Sequence, residues 1–346
     1  MLTGGAQKRI VRRPVRGQAA LCQPLGAEPM TRTILLLCEK PSQARRVADV
    51  AKAMFPDCII ETRSLCLGGV GPSGLSLELP KDLGISQTPI IIEPQYRAAT
   101  CIGDAFSRAD RAIFACDPDS RGVLMFAHHA RLHRGTDEGF SALRLNWLAD
   151  EHIRDEFRAG RTTSDSWFRE QLRIGEARYY FNGLWAANAL PLFGKLLRDI
   201  GSPEPQTFVG KSLPILLFRL KKQQVKNTPL TEEEVYTLMS KWSGSGRYAE
   251  NRIGLGSPTS RHVIIEQGIR SGLLQWLPRP AKSLVLTALG EEFLRRLHPD
   301  CDDPDMIFRI ETWGGDWPAS RPKADRYIRT YFGKMKRHMG KFSPAA

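Results

Sequence analysis

Two carboxylates spaced i, i+2 close an apolar run in Ile113-Phe114-Ala115-Cys116-Asp117-Pro118-Asp119-Ser120-Arg121-Gly122. Such a pair repels itself unless something cationic sits between its members. Mg2+ is the usual partner, because it takes oxygen ligands and keeps some of its waters. A second segment, Glu39-Lys40, places a carboxylate and an ammonium after another apolar run, Thr33–Cys38. Side chains of these types could hold a divalent ion, move a proton or meet a phosphate. The plain structural reading competes with that one. Asp at such a position also caps a helix by accepting from its first free amides, and Glu39-Lys40 would serve as a solvated pair at a helix start.

The elements that must position these groups follow from pattern. Each run is short, apolar and bounded by turn formers, which suits a buried parallel strand. Open α/β sheets place their sites at the carboxyl ends of such strands. Pro41 and Ser42 suit the start of a helix running to about Phe55, and a second helix is expected over Val123–Leu132. If the two strands are neighbours, Glu39 and Lys40 face Asp117 and Asp119. Further helices are expected over Leu172–Leu197, Leu213–Gln224 and Ser260–Gly272, with a capping box at Thr231-Glu232-Glu233-Glu234. Gly244–Gly256 contains four glycines with Arg247 and Arg252, a loop suited to lie on phosphates. Ser257, Thr259, Ser260 and Arg261 gather hydroxyls and a guanidinium at a helix start, a ready anion site. Thr259 also reads as an ordinary N-cap. Leu284–Leu289 and the helix after Thr287 would complete a wing. His128 and His129 read as packed or solvated side chains.

Lys and Arg outnumber Asp and Glu by 50 to 37, giving +13 and a pI near 9.6. That excess favours a polyanion, nucleic acid before membrane, since no long apolar span or lipidation motif is present. The seven cysteines are scattered with no C-x-x-C pair, so neither a zinc ribbon nor a disulfide framework is indicated and a reducing cytoplasm fits. At 346 residues two domains are expected. Residues 1–30, with Lys8, Arg9, Arg12, Arg13 and Arg16 against the single acid Glu28, read as a disordered basic arm.

Leu37-Cys38-Glu39-Lys40-Pro41-Ser42-Gln43-Ala44-Arg45 and Ala115-Cys116-Asp117-Pro118-Asp119 resemble the TOPRIM domain of type IA DNA topoisomerases, especially the topoisomerase III branch. Gly68-Gly69 through Leu79-Pro80 looks like the loop after that domain's second strand, and Leu145–Phe157 like its exit. Glu176-Ala177-Arg178 through Asn182-Gly183 resembles the helix that opens the next domain. Thr207–Pro214 looks like a shortened "Val-Gly-Arg-Val-Gln-Thr-Pro" segment, with Lys211 where the family has Arg. Gly254–Arg261 through Gly272-Leu273 resembles the winged-helix stretch that binds single-stranded DNA.

The resemblance implies an α/β TOPRIM domain, a parallel sheet flanked by helices, over residues 31–160. A mostly helical domain containing a winged helix would follow over 161–346. It implies catalytic roles for Glu39 and Lys40, Mg2+ on Asp117 and Asp119, and DNA contacts from Arg178, Lys211, Arg252, Ser257, Thr259, Ser260 and Arg261. Three departures qualify it. The family turn reads Asp-x-Asp-Arg-Glu-Gly-Glu, whereas Ser120 and Arg121 stand here, so a cation replaces the third carboxylate and weakens the metal site. Ala187-Asn188 replaces a Thr-Arg pair that would meet a phosphate. Only residues 221–235 separate Leu220 from Tyr236, where the family inserts the arch that carries its nucleophilic Tyr. Of seven Tyr, only Tyr327, in Tyr327-Ile328-Arg329-Thr330, matches the nucleophile tetrapeptide, and it stands after the winged-helix stretch on a basic amphipathic helix. The expectation is therefore a cytoplasmic protein, nucleoid-associated if bacterial, that binds single-stranded DNA and lacks strand cleavage. Two alternatives stay open: an active topoisomerase using Tyr327 or an arch supplied by a protein partner, and a metal-dependent TOPRIM nuclease.

Overall fold

Alternation along one strand sets the layering of the first half. In Ile34-Leu35-Leu36-Leu37-Cys38, Ile34, Leu36 and Cys38 enter one apolar cluster while Leu35 and Leu37 enter another. A strand buried on both faces needs helices on both sides. The computed structural model, which describes residues 32–65, 100–225, 229–278 and 282–342 apart from the side chains of residues 100, 101 and 259, has that arrangement. The basic arm, the Gly68–Pro80 segment and Tyr96 lie outside the described residues.

Strands β1 (Arg32–Cys38), β2 (Cys58–Ser64), β3 (Arg111–Phe114) and β4 (Ser141–Ala142) form a parallel sheet in the order β2-β1-β3-β4. Helices α1 (Pro41–Met54) and α4 (Asp150–Arg158) cover one face. Helices α2 (Thr100–Arg108) and α3 (Ser120–Arg134) cover the other, joined by the first turns of α5 (Ser166–Asp199). This is an α/β unit, and a largely helical region follows it.

That region is built around the rest of α5. Helices α6 (Ser212–Val225), α7 (Glu232–Ser240), α8 (Pro258–Arg270), α9 (Ala288–Arg296), α10 (Met306–Gly315) and α11 (Arg321–Met339) share one apolar core with it. A small antiparallel sheet runs β5 (Leu230–Thr231), β9 (Ser283–Leu286), β8 (Leu274–Leu277), and β6 (Trp242–Ser243) pairs with β7 (Arg252–Ile253). Among the described residues no helix is long and apolar enough to cross a membrane.

Several boundaries differ from the sequence expectation for local reasons. Helix α3 begins at Ser120, not Val123, because Asp119 serves as its N-cap. Helix α8 begins at Pro258, with Ser257 rather than Thr259 as N-cap, because proline takes the first helical position. Helix α5 begins six residues before Leu172, and Phe168 and Leu172 lie in the α/β core. The division between the two cores therefore falls inside α5, beyond residue 160. The Thr231–Glu234 capping box forms as expected.

Candidate functional site

The register of β1 on β3 puts Leu37 opposite Phe114, so both chains leave the sheet side by side at its carboxyl edge. Lys40 and Asp117 consequently meet. Lys40 Nζ lies 2.7 Å from Asp117 Oδ2, and this bond raises the Lys40 pKa. Gln43, buried on the first turn of α1, donates from Nε2 to Asp117 Oδ1 at 3.0 Å. Its Oε1 accepts from the Glu39 amide at 3.0 Å. Asp119 Oδ1 accepts the amides of Arg121 at 3.0 Å and Gly122 at 2.8 Å. Arg121 Nε stands 3.8 Å from Glu39 Oε1, its side chain directed to Glu39 rather than to Asp119. Burial and the neighbouring Asp117 push the Glu39 pKa up, while Arg121 opposes them. Burial and Asp117 push the Cys38 thiol up to about 12.

Two glycines let the turn seat. A Cβ on Gly122 would fall 2.2 Å from the Asp117 carbonyl oxygen, and one on Gly175 of α5 would fall 2.3 Å from the Ser120 carbonyl oxygen. Helix α5 thus crosses against the start of α3, which brings Arg178 to the turn. Arg178 Nη1 donates to Ser120 Oγ at 2.7 Å, and its Nη2 lies 2.6 Å from Glu311 Oε1 on α10. Lys211 Nζ donates to Asn182 Oδ1 at 2.5 Å. Burial, then the Arg178 charge, lower the pKa of this half-buried amine to about 8.

The donors that the resemblance assigns to Mg2+ are largely engaged within the chain. Both Asp117 oxygens are taken by Lys40 and Gln43, Asp119 caps α3, and Arg121 stands before Glu39. Among the described residues no three His, Cys, Asp or Glu side chains converge as a metal-binding group. Internal cations stand where the resemblance implies Mg2+.

The other residues singled out from sequence lie along the stretch from β7 to the start of α8. Arg252 Nη1 donates to the Ala249 carbonyl at 2.6 Å and the Asn251 carbonyl at 2.9 Å. Ser257 Oγ lies 3.0 Å from Ser260 Oγ. The Arg261 guanidinium lies over the turn at Gly254, where an added Cβ would stand 2.8 Å from its Nη2. Gly256 holds φ 82°, a conformation that favours glycine. The Thr259 side chain lies outside those described. Arg247 leans on its neighbour, its guanidinium 4.6 Å from the Tyr248 ring centroid.

Tyr327 sits elsewhere, in the helical core among Phe181, Trp313 and Tyr331. Its hydroxyl donates to Asp303 Oδ2 at 2.9 Å, and burial raises its pKa well above 10. His128 and His129 are buried as packed side chains, and burial lowers the His129 pKa to about 4.

Sequence reasoning missed Gln43, Ser120, Gly175 and Glu311. Gln43 carried a signal, a Gln at the third helical position after Pro41. Glu311 carried none, since its partner lies 133 residues away. No protein-family model and no curated protein matches this chain.

Proposed function

We propose that this chain is a topoisomerase III-like protein, with a TOPRIM unit and a winged-helix region, that binds single-stranded DNA and does not cleave it. One observation carries the reading: Glu39 and Lys40 leave β1 beside Asp117 and Asp119 leaving β3, the juxtaposition that the type IA resemblance requires. Strand cleavage by this family needs a Tyr oxygen as nucleophile, and a nucleophile must ionise or meet a base. The Tyr327 ring packs among Phe181, Trp313 and Tyr331 and its hydroxyl bonds Asp303, none of them among the sheet-edge residues Glu39, Lys40, Asp117 and Asp119, which supports a reading without cleavage. A protein partner that supplies an arch would restore the missing group. The charge of +13, the hairpin β8–β9 behind α8, and the α8 start with Ser257, Ser260 and Arg261 support the binding role.

Anisotropy of labelled single strands and duplexes at increasing salt tests the proposal. Single strands should bind more tightly, and Arg261→Ala should weaken every sequence by a similar factor while flattening the salt slope by about one unit. Equal affinity for duplex, or an unchanged slope in the variant, overturns it.

A further inference from the structure

We infer that Trp147, held on His152 at the carboxyl edge of the parallel sheet, is a stacking platform for one base of a single strand, an assignment that rests on the single-strand reading above. Trp147 is 59% exposed and is the one aromatic among the exposed large apolar side chains of the described residues. Trp, with an apolar body and one polar N–H, is enriched where a protein meets its partners. Here its pose is fixed. The ring lies 4.1 Å from the His152 imidazole, inclined by 24°. His152, on the first turn of α4, has its Nε2 buried without a hydrogen-bond partner, so the imidazole serves as a floor under the indole. With one face covered, the exposed area of Trp147 is its opposite face and edge.

Placement ties this face to the acidic turn. Strand β4 runs parallel to β3, and the Leu143 amide donates to the Phe114 carbonyl at 2.9 Å. The chain leaving β4 toward Trp147 therefore emerges at the same edge as Asp117. Arg46 Nε lies 2.8 Å from Asp150 Oδ1, which anchors the start of α4 to the helix that begins beside Lys40. Lys40, Arg46 and Arg121 stand along this edge with more than half of each side chain exposed, each beside a carboxylate of the chain, Asp117, Asp150 and Glu39. An open aromatic face on an edge that also carries these three cations suits a base between phosphates. A protein partner is a poorer fit, because Trp147 and Leu148 together fall far short of the roughly 800 Å2 per side of a standard interface.

The test compares binding of a short oligothymidylate with that of an abasic strand of equal length, by anisotropy, for the full chain. Wild type should prefer the thymidylate. Trp147→Ala should lose about tenfold on that strand and nothing on the abasic one. Trp147→Phe should keep most of the preference. Equal losses on both strands, or no loss on either, overturn the platform while leaving single-strand binding standing. A change in sedimentation of Trp147→Ala with base preference intact overturns it in favour of a protein contact. Wild type that binds neither strand removes the single-strand reading itself, and the platform with it.

Discussion

Replacing Arg121 with glutamate tests whether the acidic turn is held together by its own cations. Arg121 Nε lies 3.8 Å from Glu39 Oε1. At an effective dielectric of 20 that separation corresponds to about 4 kcal/mol of bare attraction. The Arg121 side chain is 62% exposed, so solvent screens the interaction to the range of surface pairs, about 1 kcal/mol. Reversing the charge changes two units, on the order of 2 kcal/mol, or roughly thirtyfold in affinity for a cation drawn to the turn. Lys40 stays on Asp117 in either protein and limits the gain. Calorimetric titration of Mg2+ or Mn2+ into wild type, Arg121→Gln and Arg121→Glu reads the effect. Weak binding by wild type, with a graded rise through Gln to Glu, is the expected result. Tight wild-type binding that neither substitution improves would refute the reasoning.

Gly175→Ala should cost about 2 to 3 kcal/mol in urea unfolding, because its Cβ meets the Ser120 carbonyl and neither backbone yields easily; a loss below about 0.5 kcal/mol would mean that α5 and α3 slide freely. Lys211 has a folded pKa near 8 against 10.5 for the free amine, so its charged form destabilises the fold below pH 8 and that penalty disappears as pH rises to 10.5. Wild-type stability should therefore climb across that window relative to Lys211→Met, by about 1 to 2 kcal/mol after allowing for the amine's partial contact with water. Parallel pH profiles for the two proteins contradict this. Tyr327→Phe should lower stability by about 1 to 2 kcal/mol through the bond lost to Asp303, and neither protein should form a covalent adduct with oligonucleotides. An adduct that vanishes in the variant would make Tyr327 the nucleophile after all.

What could be read from sequence was local. The apolar runs before Glu39 and Asp117, the proline start of α1 and the Thr231 capping box depend on neighbours within four residues, and all formed. The adjacency of β1 and β3 was a conditional expectation that the register satisfies. Long-range choices were not legible. At Asp119 two local uses compete, metal ligand and N-cap, and capping takes one oxygen through two amides. Arg121, the cation in place of the third carboxylate, stands before Glu39 with most of its side chain exposed, a distance that the strand register sets. Arg178 and Lys211, singled out as contacts for DNA, already have partners in Glu311 and Asn182, residues that no short window joins to them.

Helix α5 has a consequence for how the molecule comes apart. Its first turns give Phe168 to an edge-to-face cluster with Phe114 and Phe126, while its later turns give Phe181, Trp185 and Phe193 to the other core. Cutting the chain near residue 160 would strip the sheet of an aromatic wall and leave the remaining helices with an uncovered one. Helix α5 lends side chains to both cores, so loss of either exposes apolar surface in both. Heating should then give one cooperative transition whose calorimetric and van't Hoff enthalpies agree. Excision of the sheet as an independent fragment must extend past Leu172 to retain its own interior.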